Sequence, residues 1–522
     1  MQGRNLDRSV CKDSHTPMLD RILSLPLILI LIGLGALAMF VPAAVAVAER
    51  DWHTARAFFF SGSIVLAFVA MIGVAAHGRT PRRQARSLLL SLLAAFTVLP
   101  LILAVPIYES VGNTRFLNAY FEMVSSLTTT GATVFDDPAR LTSAEHLWRA
   151  LVGWLGGFLM WVVAAAIFAP LNLGGYEVLG RALPEGAGTG TSQITAIADP
   201  SLRLQRYGLA LLPVYCTLTL IVWVGLLILG DPPMIAVSHA MSTLATSGIS
   251  PAGGTANAPS GLGGELLIFV FFAFALSRST FDRTSGDTGL TRYRNDPELR
   301  MGLFCVVAVP TLLFLRHFVG AYEVEAAQSL GQGLQALWGG VFTVLSFLST
   351  TGFESASWDT ARNWSGLDTP GLILMGLALI GGGVATTAGG VKLLRVYALY
   401  KHGLRELERL VHPNSIGGSG AKARYLRRQG AYVAWIFFML FAISIAGVML
   451  ALSLTGIGFD DSVVLTLSAL STTGPLAQVV GEGISYATLG DAAKLILAAS
   501  MVLGRLETLA IIALLNPEFW RS

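Results

Sequence analysis

Four times along the chain, about a dozen mostly apolar residues run into a short Thr/Ser-Gly turn. Phe116–Leu127 leads into Thr128-Thr129-Thr130-Gly131-Ala132, and residues 234–244 lead into Ala245-Thr246-Ser247-Gly248-Ile249. Residues 337–348 precede Ser349-Thr350-Thr351-Gly352-Phe353, and residues 461–470 precede Ser471-Thr472-Thr473-Gly474-Pro475. A helix of that length reaches about 18 Å, well short of a hydrocarbon core of about 30 Å, and reads as re-entrant. The glycines recur roughly 105–120 residues apart, enough for a pair of spanning helices and a loop. The unit is therefore helix, short helix, turn, helix, repeated four times. Small polar triplets alone only ease helix packing, but four at one place in four repeats specify an architecture.

Between the short segments lie longer apolar runs, at residues 22–47, 58–76, 88–107, 152–170 and 209–229. Others follow at 266–276, 302–319, Gly371–Ile380, 432–454 and 495–515. Only 13% of the 522 residues are charged, about half the share in soluble proteins, so lipid is the expected solvent. The expected fold is an all-α integral membrane protein with four tandem helix–pore helix–helix repeats around a pseudo-fourfold pore. Its organisation reads as an N-terminal arm and two additional helices over 1–86, then pore repeats at 87–175, 203–283, 298–402 and 428–517. The first apolar run exceeds the 7–15 residues of a signal-peptide core and is expected to be retained.

Alternating spans place 26 of the 35 Lys and Arg residues on one side and leave Arg149, with Arg115, Arg140 and others, among the outer segments. By the positive-inside rule the richer side is cytoplasmic and holds both termini. The net charge of +3 then reflects topology and gives no reason to expect nucleic acid as a partner. Cys11, Cys216 and Cys305 lie too far apart in sequence for a Cys-x-x-Cys pair, and the eight histidines lack metal-ligand spacing.

Non-helical backbone at membrane depth is tolerated only where protein or water satisfies it. Glycine opens backbone conformations closed to other residues, so successive carbonyls of each turn can face one way. Four such turns around an axis would replace a cation's hydration shell with carbonyl oxygens, while the short helices aim their negative dipole ends at the ion. The expected binding residues are Thr129, Thr130 and Gly131; Thr246, Ser247 and Gly248; Thr350, Thr351 and Gly352; and Thr472, Thr473 and Gly474. A second break, Gly381-Gly382-Gly383-Val384-Ala385-Thr386-Thr387-Ala388-Gly389-Gly390, interrupts the returning helix of the third repeat.

These turns, that break and the C-terminal Gly504-Arg505-Leu506-Glu507 resemble the Trk/Ktr/HKT superfamily of potassium transporters, most closely its bacterial TrkH branch, which likewise has two extra N-terminal helices. The resemblance covers about residues 20–520. It implies potassium as the bound and transported ion, a single-chain pore, a homodimer, and gating by a cytosolic nucleotide-binding ring partner resembling TrkA. All four filter glycines are present, which within this superfamily favours potassium over sodium. The second repeat departs most in sequence, with Ser247 before its glycine and Ile249-Ser250-Pro251 after it.

The 381–390 break, with Gly381, Gly382, Gly383, Thr386, Thr387, Gly389 and Gly390, reads as a gate loop below the filter, the alternative being tight helix packing. Val391 separates its last glycine from Lys392, so it lacks the Gly-Lys-Ser/Thr of a phosphate loop, and no nucleotide is expected on this chain. Arg505 is placed with the gate as the only basic residue expected deep within an apolar span. Acids in the outer segments, among them Glu109, Asp136, Asp137, Glu145, Glu354, Asp359, Asp368 and Glu482, form either a cation-concentrating vestibule or ordinary solvated loops. Residues 183–199 and the basic stretch 401–428 face the cytosol and fit a protein partner or anionic lipid heads. A secondary transporter for an organic solute is the competing reading, and no catalytic constellation suggests an enzyme.

Overall fold

The computed structural model describes residues 26–76, 84–168, 200–276, 296–320, 330–367, 369–412, 431–480 and 483–506, and every regular element among them is helical. Seven helices in this set are long and apolar enough to cross a membrane, beginning with Leu27–Ala48 and Trp52–Ala75. They differ sharply in surroundings. Only 17% of Trp52–Ala75 is buried, against 78% of Ser143–Phe168. Exposed Ile64, Phe68, Met71 and Ile72 on the first cost nothing in lipid, where no water penalises apolar surface. The second, the returning helix of repeat 1, is enclosed by protein on most of its surface.

The re-entrant helices are Phe116–Leu127, Pro233–Ala245, Leu330–Leu348 and Phe459–Leu470. The first matches its expected bounds. The third starts seven residues earlier than the apolar pattern, because Gln332 and Gln335 are accommodated at a partly exposed entry end. Their C-terminal turns are buried without exception: Ser125, Ser242, Ser346 and Ser468 are each 0% exposed. Each is followed by a returning helix, Ser143–Val163, Gly261–Leu276, Gly371–Ile380 and Asp491–Leu506. The first of these starts on a capping box, Thr142 Oγ1 accepting from Glu145 N while Glu145 accepts from Thr142 N at 2.8 Å, which satisfies two orphan amides. It ends in a π-helical turn, Ala164–Phe168.

Two charge assignments from the sequence need correction. Arg149 does not belong to the outer loops: it lies in the returning helix and pairs with Glu122 of the first pore helix at 3.0 Å, both side chains buried. Arg505 is also not the only buried base, since Lys392, Arg395 and Lys494 are at most 7% exposed. Helix Ser143–Val163 begins further out than the apolar run suggests, so Arg149 is carried inside, where pairing is the condition of burial. Asp368, Glu482, Glu507, the 183–199 segment and residues 413–428 lie outside the described residues.

Candidate functional site

The four turns close a ring. A methyl group built on Gly131 would lie 2.0 Å from Ser247 O, and one on Gly248 would lie 2.2 Å from Thr351 O. On Gly352 it would meet Pro475 Cβ at 3.0 Å, and on Gly474 it would meet Ala132 N at 2.1 Å. Turn 1 therefore abuts turn 2, turn 2 abuts turn 3, turn 3 abuts turn 4, and turn 4 returns to turn 1. Residues more than 100 positions apart are brought into one girdle, and all twelve expected residues lie in it. At Gly131 and Gly248 there is no room for any side chain.

The backbone of each turn takes the same unusual path. Thr129, Thr246, Thr350 and Thr472, each two residues before the glycine, have φ of 55°, 51°, 60° and 55°. A β-branched residue in that region is an outlier costing about 1–3 kcal/mol. It persists because hydrogen bonds overdetermine it. Thr130 N and Gly131 N both reach Ser125 O, at 2.8 and 3.4 Å, and Thr351 N and Gly352 N both reach Ser346 O, at 2.9 and 3.3 Å. These amides cap the pore helix, and in a planar trans peptide the carbonyl points opposite its N–H. Thr130 O and Thr351 O are thereby turned away from their own pore helices.

Side chains repeat the pattern. The hydroxyls one and three before the glycine pair within turns 1, 3 and 4: Thr128 with Thr130 at 2.8 Å, Ser349 with Thr351 at 3.0 Å, Ser471 with Thr473 at 3.2 Å. Turn 2 has Ala245 at that outer position, and Ser247 pairs with Ser242 instead, at 3.1 Å. The sequence departure in repeat 2 is absorbed locally.

The segments beyond the glycines are fastened from behind. Glu122, nine residues before Gly131, accepts from Thr133 Oγ1 at 2.6 Å and Val134 N at 2.7 Å while paired with Arg149. Glu265 of the second returning helix accepts from Ala356 N at 2.6 Å, and from Ser355 Oγ and Trp338 Nε1 at 2.7 Å. His239 contacts Ser250 Oγ at 2.8 Å.

Directly against the ring sits the loop between Gly371–Ile380 and Leu393–Val411. Its neck is pinched: Val391 N donates to Leu379 O at 3.0 Å and Lys392 N to Ile380 O at 2.9 Å. Gly381 and Gly390, both with positive φ, cross so closely that a methyl on Gly390 would lie 2.7 Å from Gly381 Cα. Gly383 N donates to Ala275 O at 2.9 Å and Val384 N to the Glu298 carboxylate at 2.8 Å, while Thr386 Oγ1 turns back to Gly383 O at 2.8 Å. A methyl on Gly382 would lie 2.6 Å from Ala275 O. At the tip, Gly389 N donates to Thr350 Oγ1 at 2.7 Å, and Thr387 Oγ1 reaches Leu244 O at 3.1 Å and Thr246 Oγ1 at 3.2 Å. Two of the four left-handed threonines thus hold the loop. Arg505 Nη1 donates to Thr387 O at 2.7 Å, and Lys392 Nζ to Ala388 O. The cavities flanking the loop measure only about 20 Å³ each, one walled by Trp161, Tyr215 and Thr246, the other by Met160, Phe168 and Arg505. That is room for about one water in each, so the loop leaves little space against the residues that wall these two cavities.

The serine six residues before each glycine and the leucine four before it occur in all four repeats, as Ser125/Leu127, Ser242/Leu244, Ser346/Leu348 and Ser468/Leu470. Aligning the repeats on their glycines, rather than reading each turn alone, exposes this Ser-x-Leu-x-Thr-Thr/Ser-Gly period. Glu122, Glu265, Glu298 and Lys392 carry no such periodic signal.

The model of the family described as TrkH, cation transport protein, matches residues 54–253 and 301–521. A Trk system potassium uptake protein TrkH of Salmonella typhimurium is 31% identical over 491 residues, covering 93% of this chain and 96% of its own. Its Vibrio parahaemolyticus counterpart is 30% identical over 507 residues, covering 94% of this chain and 98% of its own. The crystal structure of the potassium transporter TrkH from Vibrio parahaemolyticus superposes with a TM-score of 0.78 at 27% identity, covering 96% of this chain and all of that one. On the family model's match over most of the chain and these near full-length identities, the chain belongs to the TrkH family of cation transport proteins.

Proposed function

We propose that this protein takes up potassium across the bacterial inner membrane as the pore-forming subunit of a Trk-type system. The observation that carries the reading is the closed ring of four turns, in which Thr130 O and Thr351 O are turned away from their own pore helices, without formal charge, where four pore-helix C-termini converge. Thr129–Gly131, Thr246–Gly248, Thr350–Gly352 and Thr472–Gly474 are the selectivity filter in this reading. The loop with Gly381, Gly382, Gly383, Thr386, Thr387, Gly389 and Gly390, locked by Arg505, is its cytosolic-side gate. Both termini are cytoplasmic, the assembly is a homodimer in membrane lipid, and the nucleotide resides on a cytosolic regulator resembling TrkA. Expression in a strain lacking potassium uptake tests it. Growth at low external potassium should be restored by the parent chain and lost on Gly131→Ala, and a parent chain that reaches the membrane without restoring growth refutes it.

A further inference from the structure

The fourth turn differs from turns 1 and 3 in the direction of one peptide. In turns 1 and 3 the filter glycine's N–H points back to its own pore helix, at Ser125 O and Ser346 O. Gly474 N instead donates across the ring to Thr130 O at 2.6 Å. The opposite end of the same planar peptide, Thr473 O, points back to its own pore helix and accepts from Ser468 Oγ at 3.0 Å. The next carbonyl, Gly474 O, is also drawn off, lying 3.0 Å from Tyr486 Oη and 3.3 Å from Ser468 Oγ. Ser468 and Tyr486 are 2.7 Å apart and essentially unexposed. Gly474 is the one filter glycine outside the left-handed region, and it precedes Pro475, whose ring restricts the residue before it. The equivalent serines do other work: Ser125 Oγ reaches Ala132 O at 2.7 Å and Ser242 Oγ reaches Ser247 Oγ at 3.1 Å.

We infer that Ser468 and Tyr486 are specificity-setting positioning residues of the fourth turn, competing with the cation for the carbonyls of Thr473 and Gly474. This rests on the reading of the ring as the cation path. While both hydroxyls hold those oxygens, the ring at the level of the residue before each glycine has an N–H where its fourth carbonyl belongs. A donor there repels a cation and consumes Thr130 O as well. Potassium, which needs the full set of oxygens to replace its hydration shell, selects the opposite orientation, in which Gly474 N turns to Ser468 O as in turns 1 and 3. Binding is weakened by the fraction of molecules held in the turned-away form. An ion that does not bind the complete cage does not drive the turn.

The test has two arms on the purified full chain. Reconstituted Tyr486→Phe and Ser468→Ala proteins should reach half-maximal potassium flux at about threefold to tenfold lower concentration, one hydrogen bond's worth, with unchanged maximal flux and a higher potassium-to-sodium flux ratio. A purely structural role would lower the maximal flux and leave the half-saturating concentration alone. Electron cryomicroscopy of the parent should show Gly474 N facing Ser468 O in potassium and Thr130 O in sodium, and this arm decides the matter should either variant fail to fold. One orientation in both ions, or folded variants with the parent's half-saturating concentration and flux ratio, overturns the inference. A parent chain that passes no potassium refutes the underlying reading of the ring, which the variants cannot.

Discussion

Replacing Arg505 by alanine should loosen the loop seated against the ring. Arg505 is 4% exposed and its Nη1 holds Thr387 O at 2.7 Å, so solvent does little to screen the interaction. A hydrogen bond from a charged group contributes about 1.5–3 kcal/mol, and about 1.4 kcal/mol is tenfold in an equilibrium. Losing it shifts the loop from its seated towards its displaced position by about tenfold to a hundredfold. A second effect has the same sign. A potassium ion passing about 6 Å from the guanidinium at an effective dielectric of about 20 meets roughly 3 kcal/mol of repulsion, near a hundredfold in local occupancy. The two are not summed, because displacing the loop also moves its carbonyls away from the arginine, and Lys392 keeps its own bond to Ala388 O. The expected outcome is a rise of at least about tenfold in potassium flux through proteoliposomes without any cytosolic partner. The potassium-to-sodium ratio should stay put, since Arg505 Nη1 holds the loop, at Thr387 O. Arg505→Lys keeps the charge without the planar fork and should fall between the two. Unchanged flux from folded Arg505→Ala protein would remove the residue from the gate, and an altered ion ratio would refute the separation of gate from filter.

Gly131→Ala combines a φ of 74° with a methyl 2.0 Å from Ser247 O. Left-handed backbone costs about 1–2 kcal/mol for alanine and the carbonyl must move, so the potassium-to-sodium ratio should drop in protein that still reaches the membrane, measured by paired isotope flux. Arg149→Met strands the buried Glu122 carboxylate and should cost about 3–5 kcal/mol, read as a lowered unfolding temperature in detergent; adding Glu122→Gln should recover much of it. Two residues beyond Gly352, on the external side in the proposed orientation, burial pushes the Glu354 carboxyl up to about 7, with Asp359 reinforcing the shift and Arg362 opposing it. The group is charged above that pH and neutral below it. External acidification through pH 7 should therefore reduce cation entry at low ionic strength, and Glu354→Gln should flatten that dependence in a flux–pH profile.

Much of this design is local and therefore visible in the chain itself. A half-length apolar helix ending in Thr-Thr-Gly identifies its own position, because the length of an apolar run and the conformational range of glycine are properties of neighbours in sequence. The same holds for the glycine-rich break at 381–390, which no helix could absorb. The sequence placed all twelve ring residues and set Arg505 beside the loop it now contacts through Thr387 O. It misjudged Arg149, counted among outer loops, because charge bookkeeping assigns a residue to a side and cannot see a carboxylate 27 positions away waiting inside. The order of closure, turn 1 against 2 and turn 4 against 1, comes from contacts between segments more than 100 residues apart. So does the direction of the Thr473–Gly474 peptide, where Thr130 O, Ser468 and Tyr486 decide together what the motif Ser471-Thr472-Thr473-Gly474 leaves open. A trans peptide can face either way at small local cost, and only the partners that folding brings to its two ends select one.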